Sequence, residues 1–202
     1  MKTTLRILGY IALGYVVLVA VGAVVIYSGS YNIAATTRHT QLVHASLNKL
    51  MINSVRSHAK DVVVPTGIDL RDREFARHAV GHFESMCLMC HGAPGRDPDR
   101  WSQSLYPPPP DLIHSLREHK WTDQEVFWII KHGIKDTGMA AFGDSHDDRD
   151  LWALTALVRQ FLEMSPDEYR TMAQNAQAEP SPQPTGREQP SQKSQSSPGH
   201  KH

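Results

Sequence analysis

The sequence predicts an all-α protein, and three observations carry that prediction. An uncharged apolar run occupies the N-terminus, apolar residues recur at helical spacing in several later segments, and no alternating apolar–polar run is long enough for a sheet. The 202 residues leave room for one ordinary domain with appendages. Apolar residues make up 40% of the chain but crowd its first 27 positions and almost vanish from its last 30. The 21 basic and 21 acidic side chains leave no net charge, which argues against a polybasic nucleic-acid binder. Two cysteines exclude a disulfide-dense scaffold and a zinc site of four thiolates. Four segments follow: a membrane anchor over 1–30, a partly helical connector over 31–68, one motif-bearing domain over 69–165, and a disordered tail over 166–202.

The anchor rests on length. Ile7 to Tyr27 is 21 residues without a charge. As a helix it spans about 32 Å, against a hydrocarbon layer of about 30 Å. Lys2 and Arg6 precede the run and the next charge is Arg38. That asymmetry predicts a single membrane pass with an inside N-terminus and an exported remainder. A cleaved signal peptide is the second reading. It usually has a shorter apolar stretch and an A-x-A-like exit, and here only Ser28 and Ser30 offer small residues for cleavage. A buried core helix, the third, would need a surrounding domain that the next residues do not supply.

In the connector, Leu42, Val43, Leu47, Leu50, Met51 and Val55 recur at helical intervals, predicting an amphipathic helix from about Thr40 to His58. Pro65 and Gly67 mark its end. His39, His44 and His58 read as solvated or capping residues. Further on, Asp72 is an N-cap for a helix through Phe75, Ala79, Phe83 and Met86. Tyr106 to Pro110 holds four consecutive prolines, a stiff extended segment. Thr122 and Glu125 form a capping box opening Val126 to Ile130, and Gly133 stops that helix. A last helix from about Asp148 to Glu163 aligns Leu151, Leu154, Val158, Phe161 and Leu162. Beyond Tyr169 the chain is Gln, Ser, Pro, Glu and Lys, too polar to offset its ordering entropy. The terminal His200 and His202 read as part of that tail.

Chemistry enters at Cys87-Leu88-Met89-Cys90-His91, a C-x-x-C-H sequence. Two thiols three residues apart on a helical turn can each form a thioether to one of two vinyl groups on a porphyrin edge. The adjacent His91 is then held under the iron, which predicts one covalently attached haem c. A thioredoxin-like C-x-x-C would want a preceding strand and a βαβ pattern, and a structural zinc would want two more suitable ligands. Neither context is present in the sequence. Of the methionines that could complete the iron, Met86 and Met89 are too close to the attachment turn to reach the other face. Met139 lies 48 residues past His91, after Gly138, in a loop able to bring a thioether to the metal. Sulfur opposite imidazole favours ferrous iron and raises the potential. His119 and His132 are the alternative sixth ligands, with a lower potential.

Over Asp69 to Met164 the chain resembles the class I cytochrome c family. The resemblance implies that Pro110 accepts a hydrogen bond from the free ring nitrogen of His91 and that Leu112 packs on the haem. It also implies a crossing of the first and last helices through Phe83 and the Leu151–Leu162 helix, with Leu157 at the place of the usual aromatic and Trp152 a turn earlier. The methionine loop departs from the family pattern, with Ala140 where a proline usually follows the methionine. The whole layout is similar to membrane-anchored monohaem cytochromes of bacteria.

That resemblance implies a non-catalytic carrier of single electrons in a respiratory chain, with His91 and Met139 saturating the iron. Expected partners are membrane lipid and redox proteins such as a quinol-oxidising complex, a periplasmic dehydrogenase or a terminal oxidase. The alternatives are a non-catalytic electron-accepting subunit of a larger respiratory or dehydrogenase complex and, from another class, a haem-based ligand sensor in which Met139 dissociates. Residues 71–165 hold 11 basic and 15 acidic side chains. Asp144, Asp147, Asp148 and Asp150 cluster after Met139, where they either steer a basic partner or serve a helix start.

Overall fold

A computed structural model describes residues 2–178, which form nine α-helices, one turn of 3-10 helix at Ser102–Ser104 and no strand. The helices are α1 (Lys2–Ser28), α2 (Gln41–Ala59), α3 (Arg73–Arg77), α4 (Val80–Met86) and α5 (Leu88–His91). After the proline segment come α6 (Leu112–His119), α7 (Asp123–His132), α8 (Asp148–Gln160) and α9 (Pro166–Ala178). The all-helical reading holds.

Helix α1 buries none of its side chains: Leu8, Ile11, Val16, Leu18 and Ile26 are all exposed. A 27-residue apolar helix with no protein cover has the length and composition to cross a membrane. Helix α2 starts where Thr40 caps it, its side chain accepting from Val43 N–H. The face it buries differs from the expected one. Val55 and Ala59 are fully buried, Met51 and Ile52 partly so, while Leu42, Leu47 and Leu50 face outward. Apolar residues sit on both sides of this helix, so spacing alone could not choose the side that packs on α7.

Asp72 caps α3 through a 2.9 Å bond from Glu74 N–H. The single helix expected over 72–86 is two: an i→i+3 bond from Ala79 N–H to Ala76 O tightens the chain between α3 and α4. Thr122 and Glu125 form the reciprocal capping box of α7, and Gly133 ends it at φ 64°. Helix α8 is the centre of the core, with every residue from Leu151 to Val158 buried and contacts to α3, α4 and α7. Trp152 stacks on Phe127 with ring centroids 4.1 Å apart. Phe83 meets Phe161 edge-on at 5.1 Å, so Phe161 provides the aromatic partner for which Leu157 seemed the replacement.

Two elements lie outside the expected organisation. Helix α6 occupies a stretch for which the sequence predicts no element; Asp111 caps it, accepting from His114 N–H at 2.7 Å. The disordered tail expected over 166–202 begins too early, because residues 166–178 form α9, packed on α4. Tyr169 and Ala173 are buried one turn apart, and this short apolar stripe is what a composition average hides. Tyr169 donates its hydroxyl to Glu84, which also receives Arg96 at 2.7 Å. Burial and the adjacent carboxylate raise the Tyr169 pKa, keeping the hydroxyl a donor. His200 and His202 lie outside the described residues.

Tyr169→Phe removes a hydrogen bond to a charged acceptor and should lower the unfolding free energy by about 1.5–3 kcal/mol. Chemical denaturation measures it; an unchanged midpoint would mean that α9 does not dock as described.

Candidate haem site

The attachment sequence folds as predicted onto one turn. Cys87 caps α5, which runs through Leu88, Met89 and Cys90 to His91, and Gly92 ends it at φ 66°. Cys90 N–H and His91 N–H both bond to Cys87 O, at 3.1 and 3.0 Å, which places the two thiols and the imidazole on one tight turn. The cysteines are not joined to each other. Burial pushes the Cys87 thiol up to about 12, with the neighbouring Cys90 a smaller contribution. The Cys90 thiol moves the same way, chiefly by desolvation and then through Asp99.

His91 Nδ1 lies 2.9 Å from the Pro110 carbonyl oxygen. A carbonyl can only accept, so Nδ1 carries the proton and Nε2 keeps its lone pair. Burial lowers the His91 pKa, outweighing the opposite effect of the Pro110 bond, and the ring stays neutral at neutral pH. Asp111, which caps α6, follows directly on the carbonyl that His91 uses.

Met139 is held from the other end of the site. Its N–H donates to Thr137 Oγ1 at 3.1 Å, and Thr137 Oγ1 donates to Ile134 O at 2.7 Å. Ile134 N–H then reaches Met139 O at 3.1 Å. Phe142 N–H and Gly143 N–H bond to Ile130 O and Lys131 O, sewing the loop's exit to the end of α7. Gly133 makes this possible: a Cβ there would sit 2.6 Å from Met139 O and 2.8 Å from Ala141 N. Backbone bonds thus supply the restraint that the proline absent at Ala140 would have given.

Cys87, Cys90, His91, Pro110, Leu112 and Met139 all line one cavity of about 530 Å³, within the range of small-molecule and cofactor sites. Its other walls are largely apolar, from Phe83, Ile129, Ile130, Ile134, Leu154 and Val158 among others. A roomy apolar cavity lined by two thiols and a neutral imidazole on one turn, and by Met139 from a separate loop, suits a covalently held haem. His119 shares the cavity and His132 does not. None of the four clustered aspartates lines it. Asp147 caps α8, accepting from Asp150 N–H, and Asp148 pairs with Lys131 at 2.6 Å.

Sequence reasoning missed the contributions of Asn48 and Met51 from the connector, of Trp101, and of Ser115 and Leu116 on α6. Only Met51 had a signal, its place on the apolar pattern of α2.

Residues 74–158 match the family described as "Cytochrome C oxidase, cbb3-type, subunit III". Comparison with curated proteins finds no match, and comparison with solved structures finds none either. The matched segment, with its helical fold and its C-x-x-C-H turn, is a c-type cytochrome domain. This chain is therefore a haem c protein of electron transport.

In the haem-free chain, iodoacetamide should alkylate Cys90 before Cys87 between pH 7 and 9, because only the thiolate attacks and the Cys87 thiol holds its proton to about 12. Mass spectrometry after partial labelling reads the order; equal rates would contradict the burial of Cys87.

Proposed function

We propose that this protein is a membrane-tethered monohaem cytochrome that passes single electrons between redox proteins at the periplasmic face of a bacterial inner membrane. The observation that carries the reading is the shared cavity: both thiols, a neutral imidazole and the Met139 thioether converge on one apolar space. Haem c supplies a one-electron ferric–ferrous couple there. Cys87 and Cys90 would hold it through thioethers. His91, oriented by the Pro110 carbonyl, would offer Nε2 to the iron, and Leu112 would pack on the ring. Met139, kept in place by the Thr137 and Ile134 bonds rather than by a proline, would offer its thioether as the other protein ligand. With both ligands bound, no coordination position would be left for oxygen or peroxide, which supports a carrier over an enzyme acting alone. The apolar walls keep water out, so little solvent must reorient when the charge on the iron changes.

Helix α1 supports the tether, and the Lys2 and Arg6 flank supports an exported domain. A tethered carrier meets membrane partners at raised effective concentration. Suitable partners are a quinol-oxidising complex, a periplasmic dehydrogenase or a terminal oxidase. A second reading, a non-catalytic subunit within a larger respiratory complex, is favoured by the oxidase-subunit description of the matched family. Purification in mild detergent separates the two: a stable association with an oxidase or dehydrogenase supports the subunit, and a solitary chain the shuttle.

A redox-titrated optical spectrum of the membrane fraction should show covalent haem with the weak sulfur-to-iron band. Cys87→Ala with Cys90→Ala should abolish haem that survives denaturation. Met139→His should keep the iron six-coordinate, remove that band and lower the midpoint potential; an unchanged potential would place the ligand elsewhere.

A further inference from the structure

Helix α2 precedes the segment matched to the cytochrome family, yet it is built into the domain. Val55 and Ala59 are each 1% exposed. One and two turns earlier, Met51 and Asn48 line the haem cavity, together with Ser115, His119 and Trp121. Ser115 and Trp121 are joined at 3.3 Å, and the rings of His119 and Trp121 lie 5.2 Å apart, so these residues form one corner. Arg56, two turns along α2 from Asn48, touches this corner without lining the cavity. Its Nη2 donates to His119 O at 3.1 Å, and its guanidinium carbon sits 5.9 Å from the centre of a Trp121 ring.

At this corner Arg56 faces Glu125, and Glu118 stands 4.0 Å from His119. Arg56 Nε stands 3.8 Å from Glu125, outside hydrogen-bonding range, and that carboxylate already accepts from Thr122 N–H at 2.8 Å. From residue 29 to residue 60 the chain carries four basic side chains and no acidic one. A haem brings two carboxylates, and they need donors and counter-charge wherever they leave the apolar part of a site.

We propose that α2 is a wall of the haem site, with Met51 packed against the macrocycle, Asn48 receiving a carboxylate beside Ser115 and Trp121, and Arg56 supplying counter-charge from its place against His119 and Trp121. This rests on the haem c reading. In that arrangement Arg56 offsets the carboxylates' negative field at the iron. Without it the ferric state gains, and the midpoint potential falls. Because Arg56 is half-exposed, the effect is screened by salt.

The full-length protein, purified in detergent with its haem, tests this through redox titration at low and high salt and through visible circular dichroism of the haem. Arg56→Gln should lower the midpoint by a shift worth about two- to tenfold in the reduction equilibrium, tenfold being about 59 mV for one electron. The shift should shrink at high salt, and Arg56→Lys should recover most of it. Asn48→Ala should move the midpoint the same way. Met51→Ala should change the haem dichroism, and Met51→Leu, which keeps the volume, should restore it. Leu50→Ala, on the exposed face of α2, should move neither reading. If Arg56→Gln and Asn48→Ala keep the parental midpoint and Met51→Ala the parental dichroism, all with covalent haem, α2 is only a spacer. Parental protein without covalent haem would instead overturn the functional reading.

Discussion

The domain depends on the direction of one N–H bond, from His91 Nδ1 to the carbonyl of Pro110. That bond settles which ring nitrogen keeps a lone pair, and so which one can face a metal. It also joins two distant pieces of chain, the attachment turn and the end of the proline segment. Both ends are stiff for independent reasons. Cys87 O ties down Cys90 and His91 on one side. On the other, Pro110 has a fixed φ and precedes Asp111, whose side chain is committed to capping α6. A charged imidazole would have no lone pair to offer, and burial removes that possibility at neutral pH.

The opposite restraint, on Met139, is made of different material. The loop from Gly133 to Gly143 crosses so close to its own helix that only glycine fits at position 133. Its shape is held by backbone bonds to Ile130, Lys131 and Ile134 and by the Thr137 hydroxyl. A loop fixed through both ends and its middle holds a thioether without a following proline. The departure at Ala140 is thus compensated by local bonding that no two-residue motif records.

The parts of this protein that could be read from sequence are those whose cause is local. C-x-x-C-H, the Thr122–Glu125 box, the stop at Gly133 and the cap at Asp72 each act within a turn, and each stands where expected. The errors have a common physical origin, since they concern which neighbour covers an apolar residue. Leu42, Leu47 and Leu50 matched the helical pattern as well as Met51 and Val55 did, and only packing on α7 chose between the two faces. Phe161, just past α8, meets Phe83 edge-on, an aromatic contact the spacing on α8 did not single out. Tyr169 and Ala173 make a stripe too short to raise the apolar content of a polar stretch, yet both are buried. Along the acidic cluster, pattern could not separate steering from capping; the bond to Asp150 N–H and the pair with Lys131 give two of the four local roles.

These corrections enlarge the domain, and a cavity at its centre explains why. The family match covers 74–158, below the commonest domain size of about 100–150 residues. A segment that surrounds a space of about 530 Å³ has fewer side chains touching one another than a solid core of equal length. Closing it takes additional cover. Helix α9 supplies cover on one side, with Tyr169 packed on Phe83 and Phe161 and bonded to Glu84. Helix α2 supplies it on another, burying Val55 and Ala59 and bringing Met51 to the cavity. Both lie outside the matched segment, one before it and one after. The element that leads from the apolar N-terminal helix to the domain therefore also lines the cavity onto which the attachment turn opens.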